Sequence, residues 1–327
     1  MSTLYIDRQG SALRIDSGVL HITTPDGHAN RRLPIKYLDR VVLRTDTQLN
    51  SKVLCELAEH GVNLIALSGR GGQKVAQTTG TAHNDARRRW QQVLTLSNAH
   101  TCAQLARHIV HTKIRRQLAT LVHIAQIRAD LRKPLHDGQR HLKKVLDLLK
   151  SGEAYTLDQL RGLEGSAAAS YFEAYFSAFA PALGATTRNR RPPRDPVNAV
   201  LSLSYTMLYG QAHAACWSAG LDPALGALHT LSHGRAALAC DLMEPYRPSV
   251  DLWVWQQFRQ GNLRAEHFGH DGSGACLMGK AARSYFYPAW EMTARKQQRS
   301  LLLYARALAK ALAQSADPSV WAHLEDQ

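Results

Sequence analysis

The hydrophobic periodicity of this 327-residue chain changes near residue 80, and this change limits the fold more than any other feature. Before that point, short apolar runs such as 4–6 and 41–43 are separated by turn-forming residues, a pattern typical of short strands. After it, apolar residues recur every three or four positions, as in 301–312, which is the spacing of amphipathic helices. The sequence therefore predicts an α+β protein, in which a small N-terminal β-rich domain (1–80) precedes a larger all-α-helical domain (81–327).

The chain is strongly basic. It has 40 Lys and Arg against 26 Asp and Glu, which gives a net charge of +14 and a pI near 9.8. Such a surplus is typical of proteins that bind polyanions, and nucleic acid is the most frequent partner. Fourteen of the basic residues fall between 87 and 150, where the sequence has three acids. A second basic cluster supplies candidate DNA contacts at Arg188, Arg190, Arg191 and Arg194.

A membrane location and secretion are both less favoured than the cytoplasm. A membrane surface also attracts basic proteins, but the sequence has no apolar run of about 18 residues that could span a bilayer. The N-terminus lacks the charged start and apolar run of a signal peptide. The five cysteines are odd in number, scattered and never spaced as Cys-x-x-Cys, which favours free thiols in a reducing cytoplasm.

Four residues in the helical part are the catalytic candidates. Asp241 and Glu244 are three positions apart, so one helix face can direct both carboxylates at the same place. Apolar residues flank them, and carboxylates in such surroundings require a cation because buried unpaired charge is costly. His229 precedes the pair by twelve and fifteen residues, and Glu164 opens a run of small residues, 164–169, that favours close helix packing. These residue types form a site for a hard cation that handles phosphate, although a pair of surface acids is the simpler alternative for Asp241 and Glu244.

Two other motifs each lack a residue that the corresponding chemistry requires. His229 and His233 have the spacing of a zinc-protease helix, but the catalytic Glu beside the first His is missing. Residues 274–280 nearly match a phosphate-binding loop, but Ala281 stands where a Ser or Thr would hold Mg²⁺. Lys280 remains a candidate phosphate contact.

Four ordered blocks of sequence resemble one known family. The blocks are Arg161-Gly-Leu-Glu164-Gly-x-Ala-Ala-x-x-Tyr171-Phe172, Arg190-Arg-Pro-Pro-x-Asp195-Pro-x-Asn198-Ala-x-Leu201-Ser-x-x-Tyr205, Leu228-His229 and Asp241-Leu-Met-Glu244-Pro-Tyr-Arg-Pro248. With them the chain resembles the universal metal-dependent nuclease-integrase of CRISPR adaptation, whose members have an N-terminal β-domain and a helical C-terminal domain. Two departures lie at the site: Ala236-Ala237 stands where the family often has Ser-Leu, and Glu244 stands where many members have Asp.

The resemblance implies a site and a reaction. Glu164, His229 and Glu244 would be the ligands of Mg²⁺ or Mn²⁺, with Asp241 beside them as a supporting or alternative ligand. A DNA 3′-hydroxyl would attack a phosphodiester at the edge of a CRISPR repeat, which inserts a new spacer. Tyr171 is a candidate to stack on an unpaired base, as is Tyr205, and both could equally belong to the core.

The resemblance also implies partners. The chain would bind double-stranded DNA, both the incoming fragment and the repeat, and would form a homodimer through its N-terminal domain. Two such dimers would flank a small ferredoxin-like dimeric partner of CRISPR adaptation. Two alternatives remain: a stand-alone metal-dependent nuclease acting on branched DNA in repair, and a basic architectural protein in which Glu164 and Glu244 pair with arginines.

Overall fold

The computed structural model describes residues 2–25, 30–68, 74–78, 86–151, 154–229 and 236–314. The chain forms two compact units. The first lies within 1–83 together with 283–296, and the second lies within 84–282 together with 297–327.

The first unit is built mainly of strands. They are β1 (Ser2–Ile6), β2 (Ser11–Asp16), β3 (Val19–Thr23), β4 (Arg31–Pro34), β5 (Leu38–Leu43), β6 (Thr47–Leu49), β7 (Asn63–Ser68) and β8 (Lys74–Thr78). One sheet has the order β1-β5-β7-β8, in which β8 alone is antiparallel to its neighbour, and the other has the order β4-β3-β2-β6. Alternation along β2 buries Leu13 and Ile15 and exposes Arg14 and Asp16, so the apolar face of that sheet packs into the unit's core together with helix α1 (Ser51–Glu59).

A segment from the far end of the sequence completes this unit. The ring of Tyr287 stacks on that of Tyr5 at 4.2 Å between centroids, and the Tyr5 hydroxyl donates to Glu291 at 2.8 Å. Residues 283–296 were predicted to belong to the helical domain. Because their contacts are made across more than 240 positions of sequence, periodicity could not assign them to the first unit.

The second unit is largely helical. Its helices are α2 (Ala86–Ser97), α3 (Ala99–Ile127), α4 (Arg132–Lys150), α5 (Leu157–Phe176), α6 (Pro196–Ser218), α7 (Ala237–Met243), α8 (Arg247–Arg259) and α9 (Lys280–Gln314), whose 283–296 segment belongs to the first unit. Strands β9 (Phe268–His270) and β10 (Cys276–Met278) form an antiparallel hairpin. The α+β class is confirmed, and the hairpin is the difference from the predicted all-α domain. Within the described residues, no helix has the length and hydropathy to cross a membrane.

The helices around the site are closely packed. Helix α6 is buried on nearly every side, so it forms the centre of the unit. One close helix contact is at Gly138 of α4, where a Cβ would lie 2.7 Å from Cβ of Ala174 on α5. The run of small residues after Glu164 was expected to provide such a contact. A Cβ at Gly165 would instead meet open space, while Ala167 is fully buried.

Candidate active site in the helical unit

Helix α5 positions Glu164 and anchors the segment that carries His229. The helix starts at Thr156, whose side chain accepts from the N–H of Gln159 in a capping box. Two turns later, Glu164 lies on the face turned toward α3, with its side chain 27% exposed. Arg161 donates two hydrogen bonds to the carbonyl of Leu228, at 3.0 and 2.9 Å. The Arg161-to-Glu164 motif therefore holds both a carboxylate and the backbone next to the histidine.

Asp241 fixes the orientation of His229. Its fully buried carboxylate accepts from the N–H groups of Ala227, Leu228 and His229 at 2.6, 3.0 and 3.1 Å. The imidazole Nδ1 lies 2.6 Å from Oδ1 of the same carboxylate. A carboxylate that receives three backbone donors is an acceptor, so Nδ1 carries the proton and donates. In the neutral ring Nε2 keeps its lone pair, and it lies 4.0 Å from Oε1 of Glu244.

A glycine allows this arrangement. At Gly226, a Cβ would lie 2.8 Å from Oδ2 of Asp241 and 2.7 Å from the backbone carbon of Ala237. Real Cβ atoms do not approach other atoms so closely. The segment before His229 can therefore lie this close to α7 only because residue 226 is glycine. Sequence reasoning did not identify Gly226, since it lies between the recognised blocks, which end at Tyr205 and resume at Leu228.

Glu244 lies where α7 ends and turns into α8. Pro245 follows it in a single turn of 3-10 helix, and the carboxylate is buried with 5% of its side chain exposed. Burial opposes its charge, but Arg247 and then Lys113 outweigh that cost and lower the pKa of Glu244 to about 2. Oε1 lies 3.0 Å from Nε of Arg247, and Oε2 lies 2.6 Å from Nζ of Lys113. Glu244 is therefore a fixed anion.

The two acids three residues apart do not share one cation. The oxygens of Asp241 face the backbone at 227–229, whereas those of Glu244 face Lys113 and Arg247. The expectation that both point at the same place is therefore wrong. Because four donors already engage Asp241, the structure favours its supporting role over a direct ligand role.

Lys113, which sequence reasoning did not single out, occupies the place between the carboxylates. It lies in the buried stripe of α3, and its ammonium makes a short ion pair and hydrogen bond with Glu164 as well as the contact with Glu244. The carboxylates raise the pKa of Lys113 despite its burial, so the ammonium is charged. The available signal was a lysine at a core-facing position of a helix. Such a lysine requires carboxylates from elsewhere in the chain to pair with its charge.

The donor set suits a divalent cation even though Lys113 stands among it. Within the described residues, no three His, Cys, Asp or Glu side chains are already arranged around a common metal position. However, Oε2 of Glu244 is buried and lies 2.6 Å from the ammonium of Lys113, so this oxygen already faces a positive charge. Glu164 and Glu244 both contact the ammonium of Lys113, and Nε2 of His229 lies 4.0 Å from Oε1 of Glu244.

The predicted DNA contacts differ in their exposure. Arg190, Arg191, Arg194 and Lys280 are exposed, as a phosphate contact requires. Arg188 is half-buried, donates to Oδ1 of Asn198 at 2.7 Å and lies over the ring of Tyr205. It therefore organises the segment before α6, and the exposed arginines are the better candidates.

Tyr171 is not available to a DNA base. Its side chain is fully buried and stacks on Tyr175, and its hydroxyl donates to Asp251 at 2.9 Å. Tyr205 is also buried and donates a short hydrogen bond to the same carboxylate. The prediction that Tyr171 stacks on an unpaired base is wrong, and the core alternative applies to both tyrosines.

Known proteins match this chain over nearly its whole length. The family model described as CRISPR associated protein Cas1 matches residues 4–292. The CRISPR-associated endonuclease Cas1 of Thermodesulfovibrio yellowstonii is 32% identical over 299 residues, which cover 91% of this chain and 93% of the relative.

Solved structures resemble the fold as well. A casposase bound to integration product matches with a TM-score of 0.82 at 20% identity, over 97% of this chain and 92% of the casposase. A chain of a Cas6-RT-Cas1–Cas2 complex matches with a TM-score of 0.79 at 25% identity. That match covers 96% of this chain and 35% of the longer one.

Proposed function

Since the chain belongs to the Cas1 family of CRISPR-associated proteins, we propose that it is a metal-dependent DNA endonuclease and integrase of CRISPR adaptation. It would join DNA 3′-hydroxyl ends into the CRISPR repeat by transesterification. One observation carries the proposal beyond family membership. Lys113 bridges the carboxylates of Glu164 and Glu244, and Nε2 of His229 lies 4.0 Å from Oε1 of Glu244, which supports a cation site beside these residues.

The metal would be Mg²⁺ or Mn²⁺. Two carboxylates and one imidazole suit hard cations, and Mn²⁺ accepts a nitrogen ligand more readily than Mg²⁺. Glu164, His229 and Glu244 would hold the ion. When bound, it would lower the pKa of the attacking 3′-hydroxyl and stabilise charge on the pentacovalent transition state.

The protein's own residues prepare the site for this chemistry. Asp241 accepts from Nδ1 of His229, so that in the neutral ring Nε2 is the free nitrogen, and Arg161 holds the adjacent backbone in place. The reaction is an exchange of esters. One P–O bond forms to the incoming 3′-oxygen, one P–O bond of the repeat breaks, and the departing strand leaves as a new 3′-hydroxyl. The attacking hydroxyl loses a proton and the departing oxygen gains one, so no oxidant, reductant or nucleophilic side chain is required.

The exposed basic residues would hold the DNA. Arg190, Arg191, Arg194 and Lys280 provide sequence-independent contacts to phosphates of the incoming fragment and the repeat. The resemblance to a chain of a Cas6-RT-Cas1–Cas2 complex supports a partner of the Cas2 kind, which we propose to be small, dimeric and ferredoxin-like. A homodimer of this chain is part of the same proposal.

A strand-transfer assay tests the function. Labelled duplex with free 3′-hydroxyls is mixed with supercoiled plasmid carrying the cognate repeat, the partner protein and Mn²⁺. Wild-type protein should join label covalently to plasmid, and Glu164→Ala should not. Glu173→Ala is the matched control, because it removes an exposed carboxylate from the same helix and should retain joining.

The other outcomes identify the alternatives. Plasmid nicking without joined label would favour a stand-alone nuclease. The contact of Glu244 with Arg247 is a specific observation in favour of the architectural alternative, in which the acids balance basic side chains. In that case wild type would bind DNA without joining or cleaving it, and Glu164→Ala would bind equally well.

A further inference from the structure

Lys113 is placed where a lysine is unusual. It shares the buried stripe of α3 with Ile109, Val110 and Gln117, and 7% of the residue is exposed. Core positions on helices rarely contain lysine unless its charge is paired. Here the pairing comes from two different elements, Glu164 on α5 and Glu244 after α7. The side chain therefore bridges the two carboxylates that we assign to the metal.

The charges at this position are already balanced. Glu164 and Glu244 carry two negative charges, and Lys113 and Arg247 carry two positive ones. The carboxylate of Asp241 is separately compensated by three backbone N–H groups and the imidazole. A divalent ion entering this group would leave an excess of positive charge unless one resident cation moved away.

Lys113 is the cation that can move. Arg247 is held from two sides, because its guanidinium lies over the ring of Tyr205 at 4.6 Å and beside Oε1 of Glu244. The ammonium of Lys113 is at the end of a flexible stem and contacts the two proposed ligand carboxylates themselves. Its ammonium lies 2.6 Å from Oε2 of Glu244, and a carboxylate oxygen has a second lone pair that remains for another ligand.

We propose that Lys113 is a tethered cation that holds Glu164 and Glu244 together without metal, and that the divalent ion must displace it to bind. This inference rests on the proposed metal site and adds a residue that controls its affinity. The paired carboxylates stay assembled when no ion is present, and metal affinity is lower than the carboxylates alone would give. Charges about 4–6 Å apart change ion-binding equilibria by roughly ten- to a thousandfold, so the effect is measurable.

Equilibrium binding of Mn²⁺ tests the proposal without any reaction. The chelator-stripped full-length protein is titrated with Mn²⁺ by calorimetry, and free Mn²⁺ is followed by electron paramagnetic resonance. Lys113→Met keeps the length of the side chain and removes the charge, and it should bind Mn²⁺ at least about tenfold more tightly than wild type. Lys113→Arg keeps the charge and should not bind more tightly. Lys52→Met removes an exposed lysine paired with Glu56 and should bind as wild type does.

A second measurement uses wild-type protein, so it does not depend on the folding of a variant. An amine-specific reagent is applied with and without saturating Mn²⁺, and labelling of Lys113 is read by peptide mass spectrometry. Labelling should be slow without Mn²⁺ and several-fold faster with it, while that of exposed Lys52 stays constant.

Unchanged or weaker Mn²⁺ binding by Lys113→Met, or unchanged labelling of Lys113 in wild type, would overturn the proposal. If wild type still binds Mn²⁺ and performs strand transfer, the proposed function survives and the displacement alone fails. If neither wild type nor Lys113→Met binds Mn²⁺, the metal site and the displacement fail together.

Discussion

Nδ1 of His229 lies 2.6 Å from Oδ1 of Asp241, and the same carboxylate accepts from three consecutive backbone N–H groups. One buried side chain therefore sets both the tautomer of the imidazole and the course of the backbone that carries it. Each of the two depends on the carboxylate being an acceptor at both oxygens. Asp241 can thus be essential to the site without touching a metal.

Asp241→Asn should disrupt the site while changing the volume of the side chain very little. An amide has one acceptor oxygen and places N–H groups against donors. We expect Mn²⁺ affinity to fall by about ten- to a hundredfold, as for other residues that orient a ligand histidine. The free energy of unfolding should fall by about 1–3 kcal/mol through the unmet buried donors. Titration calorimetry and urea unfolding measure the two effects.

Asp222→Asn is the control for that substitution. Its carboxylate accepts from the N–H of Ala224 within its own turn, so the same chemical change is made at a carboxylate with a local structural role. Mn²⁺ affinity should match that of wild type. Equal Mn²⁺ affinity in Asp241→Asn and wild type would contradict the orienting role of Asp241.

Gly226→Ala should have a similar effect through sterics. The added Cβ would meet Oδ2 of Asp241 and the backbone of α7 at less than 3 Å, so the segment 226–229 has to move. We expect a loss of about 1–3 kcal/mol in the free energy of unfolding, typical of overpacking, and weaker Mn²⁺ binding. Gly162→Ala is the control, because its Cβ meets open space within α5. Its free energy of unfolding should be about 0.5–1 kcal/mol higher than that of wild type. An unchanged free energy of unfolding and unchanged Mn²⁺ binding in Gly226→Ala would refute the close contact.

Sequence alone predicted the fold class, which the structure confirms, and it named candidate site residues, because both depend on local patterns. The change of periodicity near residue 80 and the motifs around Glu164, His229 and Glu244 are each readable within a few residues. The different tasks of Asp241 and Glu244 were not readable, because spacing gives a common helix face but not what each oxygen meets. Lys113 was missed for the same reason: its partners lie 51 and 131 residues away.

The stability of the protein should depend on pH through Asp251. Burial raises the pKa of this carboxyl to about 6, although hydrogen bonds from Tyr205 and Tyr171 and the charges of Arg247 and Arg188 oppose the rise. The folded state therefore binds a proton more tightly than the unfolded state, in which the pKa is near 4. The resulting stability is fully present below pH 4 and is lost as pH rises through 6, by about 3 kcal/mol.

Asp251→Asn should remove that contribution. Urea unfolding between pH 4 and pH 7 should show a difference between wild type and variant that changes by about 3 kcal/mol across this range. Asp147→Asn, which changes an exposed residue of α4, should run parallel to wild type. If wild type and Asp251→Asn also run parallel, the carboxyl does not titrate in this range.

Tyr171→Phe separates a core role from a DNA role. The variant loses the buried hydrogen bond to Asp251, so the free energy of unfolding should fall by about 1–2 kcal/mol. Affinity for duplex DNA, measured by fluorescence anisotropy, should not change, since the ring is fully buried. Tyr155→Phe, which loses an exposed hydrogen bond to Leu148, should change stability by less than about 0.5 kcal/mol. A selective loss of DNA affinity in Tyr171→Phe would restore the stacking role.

The exposed arginines before α6 should dominate the salt dependence of DNA binding. The slope of log K against log salt concentration is negative because each phosphate contact releases condensed counterions. Replacing Arg190, Arg191 and Arg194 together by Ala should reduce the magnitude of this slope by about 2–3. Affinity should fall to a similar degree on unrelated sequences, because phosphate contacts do not read bases. A control variant removes the same charge from exposed positions in the first unit, Arg14, Arg31 and Arg32. If both variants reduce the slope equally, net charge rather than this segment governs binding; if neither does, the DNA lies elsewhere on the protein.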